Sequence, residues 1–348
     1  MIVDGDVEVF PAHAPANVRF VKAGITVRSQ KRTIPSDDTG CGNGDHARHI
    51  LGADGGARRG RELIYGIPGQ SGRGHRQMVW HMIKLYGSAF SPVVRKVRMT
   101  LEYKGLNYEA VDGLLKSNHQ ALKAVNGRVE VPVLTDGDVV VVNSPDIVAY
   151  LDHRYPTSSV YPDEPAARVH ARAWERVADT FVDPILVNIS FWKWAERPDK
   201  MPQGLLEAAR SDLQLVYDAL DKELASRQFV SGPVSVADIA LFPHLASVKA
   251  LKVEFPAQQH PNLGRWFKEM RALPMCAADL KRARDYIANI KERDIERHRI
   301  FWRGDRIEWV LARGFHAWFF NEIKEDRVAW PGPGLPAPMK LVATAGAQ

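Results

Sequence analysis

The sequence predicts a mixed α/β domain followed by an all-helical domain. The chain has 348 residues, about the length of two domains that each bury a core. Within residues 82–155, short apolar segments with a period of two alternate with segments of helical period. From residue 166 to residue 276 the pattern is helical, and Pro, Gly or Ser bounds each segment. A Pro- and Ser-rich linker is expected between them at 156–165.

The first domain is expected to run strand, helix, strand, helix, strand, strand, helix. Strands are expected at 83–87, 107–111, 129–134 and 139–142, and helices at 92–104, 117–124 and 147–153. Pro92 suits the first position of a helix, and Gly105 suits its C-terminal end. Asp136-Gly137 is typical of a hairpin turn. Pro132 interrupts a strand pattern, which indicates a cis Val131-Pro132 bond at a tight turn.

The second domain is expected to be a helical bundle with extensions. Helices are expected at 166–189, 203–226, 236–250 and 263–273. Residues 277–330 are helix-compatible, with breaks expected at Gly304 and Gly314. Residues 1–81 hold 13 of the 26 glycines and little apolar surface, so we expect this segment to be disordered and Met78 or Met82 to be the true start. The tail at 331–348 is also expected to be disordered.

Charge and cysteine content exclude several classes of protein. The net charge is +6, but residues 82–278 carry 23 Lys and Arg against 23 Asp and Glu, which is a poor footprint for nucleic acid. Neither an apolar run of about eighteen residues nor a secretory leader is evident, so we expect a cytoplasmic protein that does not enter a membrane. Cys41 and Cys276 match no spacing typical of a disulfide framework or a zinc site.

Several short motifs occur together in residues 82–275. They are Leu85-Tyr86-Gly87, Ser91-Pro92 at a helix start, Val131-Pro132-Val133-Leu134, Asp136-Gly137, Asn143-Ser144 before Ile147, and Ser235-Val236-Ala237-Asp238-Ile239-Ala240. In this order and spacing they resemble the cytosolic glutathione transferase family. The resemblance implies a thioredoxin-like first domain, an all-α second domain, glutathione as co-substrate without a metal, a homodimer, and a role in detoxification. Ser235 and Asp238 match a capping box that starts a helix.

Ser91 is the candidate catalytic residue. A hydroxyl at a helix N-terminus can donate to a thiolate, and the positive helix end helps to lower the pKa of a bound thiol. Serine here resembles the theta, zeta and related bacterial classes, whereas cysteine would indicate the disulfide-exchanging omega or beta classes. The alternative is that Ser91 only caps the helix, in which case replacement by Asp would be tolerated. Ser88 is a second candidate nearer the strand.

The resemblance also implies residues that bind glutathione. The main chain of Val131, before Pro132, pairs with the cysteinyl part, as in strand addition. Glu130 departs from the Lys or Gln of several classes and would repel the glycyl carboxylate, which Arg128 could offset.

The γ-glutamyl part of glutathione is expected at a helix start. Ser144 and the helix amides are expected to hold its carboxylate. Asn143 replaces the usual Glu or Gln and is neutral, so Asp146 is the acid left to pair with the α-amino group.

Large aromatic side chains are candidates for the wall of an electrophile pocket. They are Phe90, Trp174, Phe181, Trp192 and Trp194, and the alternative is that they only pack in the core. In residues 297–321 aromatic and basic residues alternate. A helix pair docked over the cleft or over the bundle is favoured there, rather than a surface for RNA or an acidic partner.

The leading hypothesis is a glutathione transferase in which Ser91 activates the thiol for attack on a small hydrophobic electrophile, by conjugation, substitution or isomerisation. The alternative is a non-catalytic protein of the same fold that binds or regulates a partner through its C-terminal extension. Disulfide reduction is disfavoured because Ser91 stands where cysteine is needed.

Overall fold

The computed structural model describes residues 82–330. The expectations for residues 1–81 and 331–348 lie outside the described part of the chain. None of the helices in that part is both long and apolar enough to span a membrane.

The first domain is built on a four-stranded mixed sheet. Its strands are β1 (Ile83–Tyr86), β2 (Tyr108–Val111), β3 (Val133–Asp136) and β4 (Val139–Val142), in the spatial order β2-β1-β3-β4. Strands β1 and β2 are parallel, and β3 is antiparallel to both β1 and β4. The helices are α1 (Pro92–Tyr103), α2 (His119–Asn126) and α3 (Ser144–Arg154). The predicted order of elements is therefore confirmed.

Proline and glycine residues of this domain have the structural effects that the sequence predicts. Pro92 is the first residue of α1, and Gly105 follows its end with φ +67°. The Val131-Pro132 bond is cis. Gly87, after β1, lies so close to α1 that a Cβ there would be 2.4 Å from Val94 Cγ1. Because only glycine fits, the loop from β1 runs tightly against the start of α1.

The second domain is a bundle of helices. They are α4 (Pro165–Val177), α5 (Asp183–Trp194), α6 (Leu205–Glu223), α7 (Val236–Leu245), α8 (Pro261–Ala272) and α9 (Pro274–Ala288). The single helix expected at 166–189 is wrong, because a π-helical turn at Ala178–Val182 separates α4 from α5. Pro184 has no N–H to bond the carbonyl four residues earlier, which suits a break there. Helix α7 ends earlier than expected, where the N–H and Oγ of Ser247 both donate to the His244 carbonyl.

The predicted capping box is present at the start of α7. Asp238 is fully buried and accepts hydrogen bonds from the Ser235 N–H at 2.9 Å and the Val230 N–H at 3.0 Å. Trp266 Nε1 also donates to it, at 2.8 Å. One carboxylate thus fixes the helix start, the preceding loop and α8.

Buried ion pairs join the two domains through α1. Arg95 donates to Asp279 on α9 at 2.7 and 2.9 Å, and Lys96 pairs with Glu175 and Asp179 of the second domain. All five side chains are nearly inaccessible to solvent. Removing one partner would leave an unpaired charge, so these pairs fix the orientation of α1 against the bundle.

The boundary expected between residues 276 and 277 lies inside α9, so the extension begins later than expected. Residues 289–330 fold as the segment that we call the extension. It contains β5 (Ile300–Phe301), α10 (Gly304–Ala312), α11 (His316–Lys324) and β6 (Val328–Ala329), and β5 pairs with β6 in parallel. The break expected at Gly304 is wrong, since this residue opens α10, whereas Gly314 separates α10 from α11 with φ +83°. Residues 293–299 are not helical, because their backbone bonds other elements: Asp294 O accepts from Lys116, and Arg297 O from Glu196.

Candidate functional site

A cavity of about 420 Å³ lies between the first domain, the helical bundle and the extension. Its volume is in the range of small-molecule pockets. The lining is mostly apolar, and it includes Phe90, Leu186, Val187, Phe191, Trp194, Leu251, Ile295, Ile300, Phe301 and Trp302. The cavity therefore suits a ligand with a large apolar part.

Ser91 lies at this cavity, immediately before the first residue of α1. Its carbonyl accepts the first hydrogen bonds of the helix, from Val94 and Arg95, while its hydroxyl makes no capping bond. The Val93 N–H, also at the cavity, has no acceptor in residues 82–330. Two neighbouring lining residues thus carry a hydroxyl without a capping bond and an unpaired helix amide, an arrangement that can stabilise an anion.

Ser88 has a different environment from Ser91. It is fully buried, and its Oγ accepts a hydrogen bond from the Ser91 N–H at 3.2 Å. Ser88 does not line the cavity. Of the two serines proposed from the sequence, only Ser91 has a hydroxyl that a ligand in the cavity could reach.

Val131 and Glu130 form part of the wall contributed by the first domain. Within the described residues, neither the N–H nor the carbonyl of Val131 has a backbone partner, so both remain able to pair with an extended peptide. Pro132 is buried behind Val131. The Glu130 carboxylate lies 3.5 Å from Arg128 Nε, which offsets part of its charge, and Arg128 itself is outside the lining.

Asn143, Ser144 and Asp146 lie at the start of α3, outside the lining. Asn143 has φ +71° and is exposed, and its Nδ2 donates to Asp146 Oδ2 at 2.7 Å instead of capping the helix backbone. Ser144 is 4% exposed. A non-glycine residue with this φ is strained, and such strain is often found at binding sites.

The five predicted aromatic residues fall into two groups. Phe90 and Trp194 line the cavity, with ring centroids 5.6 Å apart. Trp192 lies outside the lining and packs against Trp318, with ring centroids 5.8 Å apart, and the Arg197 guanidinium lies over its ring. Trp174 and Phe181 pack half-buried against the core, away from the lining. Phe191 and Trp194 share a face of α5 because they are three residues apart, and Trp192 faces away from it.

Two parts of the lining were missed by sequence reasoning. His119, at the start of α2, lies between the two domains with its Nε2 3.2 Å from the Leu114 carbonyl oxygen. The extension contributes Ile295, Glu296, Arg299, Ile300, Phe301, Trp302, Arg303 and Arg306. The alternation of aromatic and basic residues in 297–321 was the signal for this wall, and it predicts docking but not which side chains reach the cavity.

The extension is held in place by buried polar contacts. Asp212 on α6 is 1% exposed and accepts hydrogen bonds from Trp309 Nε1 at 2.8 Å and Arg313 Nε at 2.7 Å. Trp302 packs edge-on against Phe191 of α5, with ring centroids 5.3 Å apart. The wall that the extension provides is therefore anchored to the bundle at several points.

No group of three or more His, Cys, Asp or Glu side chains between residues 82 and 330 is arranged to hold a metal ion. Cys276 is buried beneath α1, and burial raises the pKa of its thiol. A buried thiol of this kind is unreactive.

Comparison with known proteins shows which family this chain belongs to. Residues 85–159 match the model of the glutathione S-transferase N-terminal domain, and residues 203–269 match that of its C-terminal domain. Glutathione S-transferase GstB of Escherichia coli K12 is 30% identical over 199 residues, which are 56% of this chain and 95% of that protein. Mouse maleylacetoacetate isomerase is 28% identical over 197 residues, 54% of this chain and 88% of the relative.

Solved structures show the same fold. The theta class glutathione S-transferase from Xanthomonas axonopodis pv. citri, with glutathione bound, is 25% identical with a TM-score of 0.50, covering 57% of this chain and 97% of that one. Ure2p5 from Phanerochaete chrysosporium, 21% identical, has a TM-score of 0.53 and covers 60% and 97% of the two chains. The two domain models end before the extension begins. With both domains matched and a 30% identical relative covered almost completely, this chain belongs to the glutathione S-transferase family.

Proposed function

We propose that this protein activates the thiol of glutathione at Ser91 for attack on a small electrophile that occupies the apolar cavity. The observation that carries the proposal is the free Ser91 hydroxyl at the N-terminus of α1, facing that cavity. Membership of the glutathione S-transferase family supports glutathione as the co-substrate. A serine-type site, like that of the theta and zeta classes, is part of the proposal.

Ser91 would act by stabilising the thiolate. Its hydroxyl donates a hydrogen bond to the sulfur, and the free Val93 N–H and the helix dipole add positive potential. The thiol proton leaves to solvent, and the thiolate attacks the electrophile. In a substitution, a C–S bond forms and the leaving group departs with its bonding pair. In an addition the electron pair moves onto the conjugated system, which is then protonated. In an isomerisation the same electron pair re-forms the double bond after rotation, the C–S bond breaks, and the glutathione thiolate leaves.

Glutathione would lie across the N-terminal end of β3, where the chain passes Val131 and Pro132. The free N–H and carbonyl of Val131 can pair with its cysteinyl residue, held in position by the cis bond to Pro132. Ser144 and the amides at the start of α3 would bind the γ-glutamyl carboxylate, and Asp146, linked to Asn143, would pair with the α-amino group. Arg128 reduces the repulsion that Glu130 exerts on the glycyl carboxylate.

The electrophile would occupy the space between Phe90, Trp194 and the extension. Trp302, Trp309 and Phe319 of the extension are all at least nine-tenths buried. Because these aromatic side chains pack inside the fold, they favour an extension that completes a pocket over one that binds a separate partner. The homodimeric state, the cytoplasmic location and the role in detoxification stay predictions. Sedimentation of the purified protein tests the oligomeric state.

The test compares the full-length protein with Ser91→Ala. Glutathione is titrated calorimetrically, and thiolate absorbance near 240 nm is followed against pH. We expect similar glutathione affinity in both proteins, a bound thiol pKa in the wild type well below its ordinary value of about 8.5, and a loss of kcat/KM of about 10²-fold in Ser91→Ala.

Ser247→Ala is the matched control. Ser247 also lines the cavity, but its hydroxyl already donates to the His244 carbonyl at 2.7 Å. This variant should keep both the thiol pKa and kcat/KM. If Ser91→Ala behaves like Ser247→Ala, Ser91 only begins a helix; if the wild type gives no heat with glutathione, the proposed function is wrong.

A further inference from the structure

The charged residues that line the cavity are unevenly distributed. Five cations, Arg95, Lys193, Arg299, Arg303 and Arg306, face two acids, Glu130 and Glu296. Three of these cations belong to the extension, which lies outside both matched domain models. The wall that the extension provides is therefore the more positive one.

Two of these cations are already paired with acidic residues that lie outside the lining of the cavity. Arg95 donates to Asp279 and to the Pro243 carbonyl, and Arg306 donates to Asp183. Neither Asp279 nor Asp183 lines the cavity. These guanidinium groups therefore have little capacity left to bind a ligand.

Arg303 differs from them. It is the residue immediately before α10, and its Nε and Nη2 donate to Asp305 at 3.3 and 2.8 Å. Its Nη1 has no hydrogen-bond partner among the described side chains and backbone groups, and 32% of the side chain is exposed. Asp305 is not part of the lining. Asp305 thus holds the Arg303 guanidinium in a fixed position, and its Nη1 group remains free to donate hydrogen bonds to a ligand.

The two acids of the lining do not compete for that edge. Glu296 accepts hydrogen bonds from the N–H groups of His298 and Arg299, at 2.9 and 3.0 Å. Glu130 pairs with Arg128 on the first domain. Of the other two lining cations, Arg299 pairs with the exposed Asp326, and Lys193 is exposed to solvent. Arg303 therefore offers an anionic group on a ligand the cation that is held most firmly at the cavity.

We infer that the preferred electrophile is an apolar, aromatic or unsaturated molecule that carries a carboxylate, and that Arg303 binds this carboxylate. The inference rests on the proposed function and specifies its substrate class. The apolar body would pack between Phe90, Trp194 and Phe301, with its reactive carbon toward Ser91. Arg303 acts as a specificity-determining residue, since planar guanidinium groups suit carboxylates.

The test uses two matched electrophiles, 4-chloro-3-nitrobenzoate and its neutral amide, 4-chloro-3-nitrobenzamide. In both, the glutathione sulfur bonds to the carbon that carries chlorine, the C–Cl bond breaks, and chloride leaves with the electron pair. Each kcat/KM is divided by the rate constant of the uncatalysed reaction, which removes the difference in intrinsic reactivity. The wild type should prefer the carboxylate by about tenfold.

Variants of the full-length protein test whether Arg303 causes the preference for the carboxylate. Arg303→Gln should lose about tenfold in kcat/KM for the carboxylate, mainly through KM, and change less than about twofold for the amide. Arg303→Lys should recover part of the preference. The control is Arg284→Gln, which should match the wild type. Arg284 is an exposed residue of α9 that does not line the cavity.

The outcomes separate the inference from the proposed function. If Arg303→Gln leaves the ratio between the two electrophiles unchanged while both are still turned over, the inference is wrong and the proposed function stands. If the variant raises the KM for glutathione and not that for the carboxylate electrophile, Arg303 binds a carboxylate of glutathione, and the inference is again overturned. If calorimetry detects no binding of glutathione to the wild type, both the inference and the proposed function are wrong.

Discussion

Asp183 on α5 and Arg306 on α10 form a buried ion pair that fastens the extension to the helical bundle. Arg306 Nε and Nη2 donate to Asp183 Oδ2 at 3.0 and 2.8 Å, and Asp183 is fully inaccessible to solvent. Burial by itself would raise the pKa of Asp183, but Arg306, His244 and Arg303 together outweigh it and hold the pKa below its ordinary value. Asp183 is therefore ionised, and its charge depends on a residue 123 positions away.

We predict that Asp183→Asn is strongly destabilising. The substitution leaves Arg306 without its counter-charge in a poorly solvated place, which should lower the free energy of unfolding by about 2–4 kcal/mol. Urea denaturation followed by fluorescence measures it. Asp285→Asn removes one partner of the exposed pair with Lys281 and should change stability by less than about 0.5 kcal/mol. If the two variants lower the free energy of unfolding equally, the buried pair contributes no more to stability than the exposed pair does.

Asp212 provides a second prediction, about dynamics. Asp212→Asn weakens the bonds to Trp309 and Arg313, so amide hydrogens in residues 304–324 should exchange faster. Those of β1, β3 and β4 should keep their protection. Asp218→Asn is the control on the same helix, because Asp218 is largely exposed and bonds His260, not the extension. Uniformly faster exchange across both domains would mean that Asp212 supports the whole fold and not this wall.

Much of the first domain could be predicted because its signals are local. Pro92 and Gly105 mark the two ends of α1 by their own backbone preferences, and Pro132 marks the cis bond in the same way. Such signals act within a few residues and need no knowledge of the tertiary structure. The position of Ser91 at the helix N-terminus follows from them, because it directly precedes Pro92, whereas its choice as the catalytic candidate depends on the resemblance to the glutathione transferase family.

The rest of the site depends on contacts between distant segments. Trp192 and Trp194 look equivalent in sequence, but the rotation of α5 places only Trp194 at the cavity. Residues 293–299 have a helical pattern, yet their backbone bonds other elements of the fold. Arg303 could not be distinguished from Arg95 and Arg306, since only the partners of each guanidinium show that Nη1 of Arg303 stays free.

A third prediction concerns binding of glutathione at the start of α3. Asp146 carries the only carboxylate in the Asn143–Asp146 turn, and Asn143 Nδ2 holds it at 2.7 Å. If Asp146 pairs with the α-amino group of glutathione, Asp146→Asn should weaken binding by about tenfold in calorimetry. Adding Asn143→Glu to that variant should restore most of the affinity. Undiminished affinity in Asp146→Asn would remove this residue from the binding site.

His244 on α7 makes the stability of the protein depend on pH. The side chain is 1% exposed, and burial lowers its pKa to about 4. Asp183 and Asp179 nearby act in the opposite direction, while Lys96 and Arg95 add to the lowering. In the unfolded chain the pKa of histidine is about 6.5. The unfolded state therefore takes up a proton at a pH where the folded state does not.

The sign of the effect follows from this difference. The stabilising contribution is complete above pH 6.5 and is lost as the pH falls toward 4, because protons then favour the unfolded state. Urea denaturation should show a decrease of up to about 2 kcal/mol in the free energy of unfolding between pH 7 and pH 5. His244→Gln should flatten this slope whatever its stability at pH 7, and Ser247→Ala should keep it. A slope that survives in His244→Gln would assign the pH dependence to other groups.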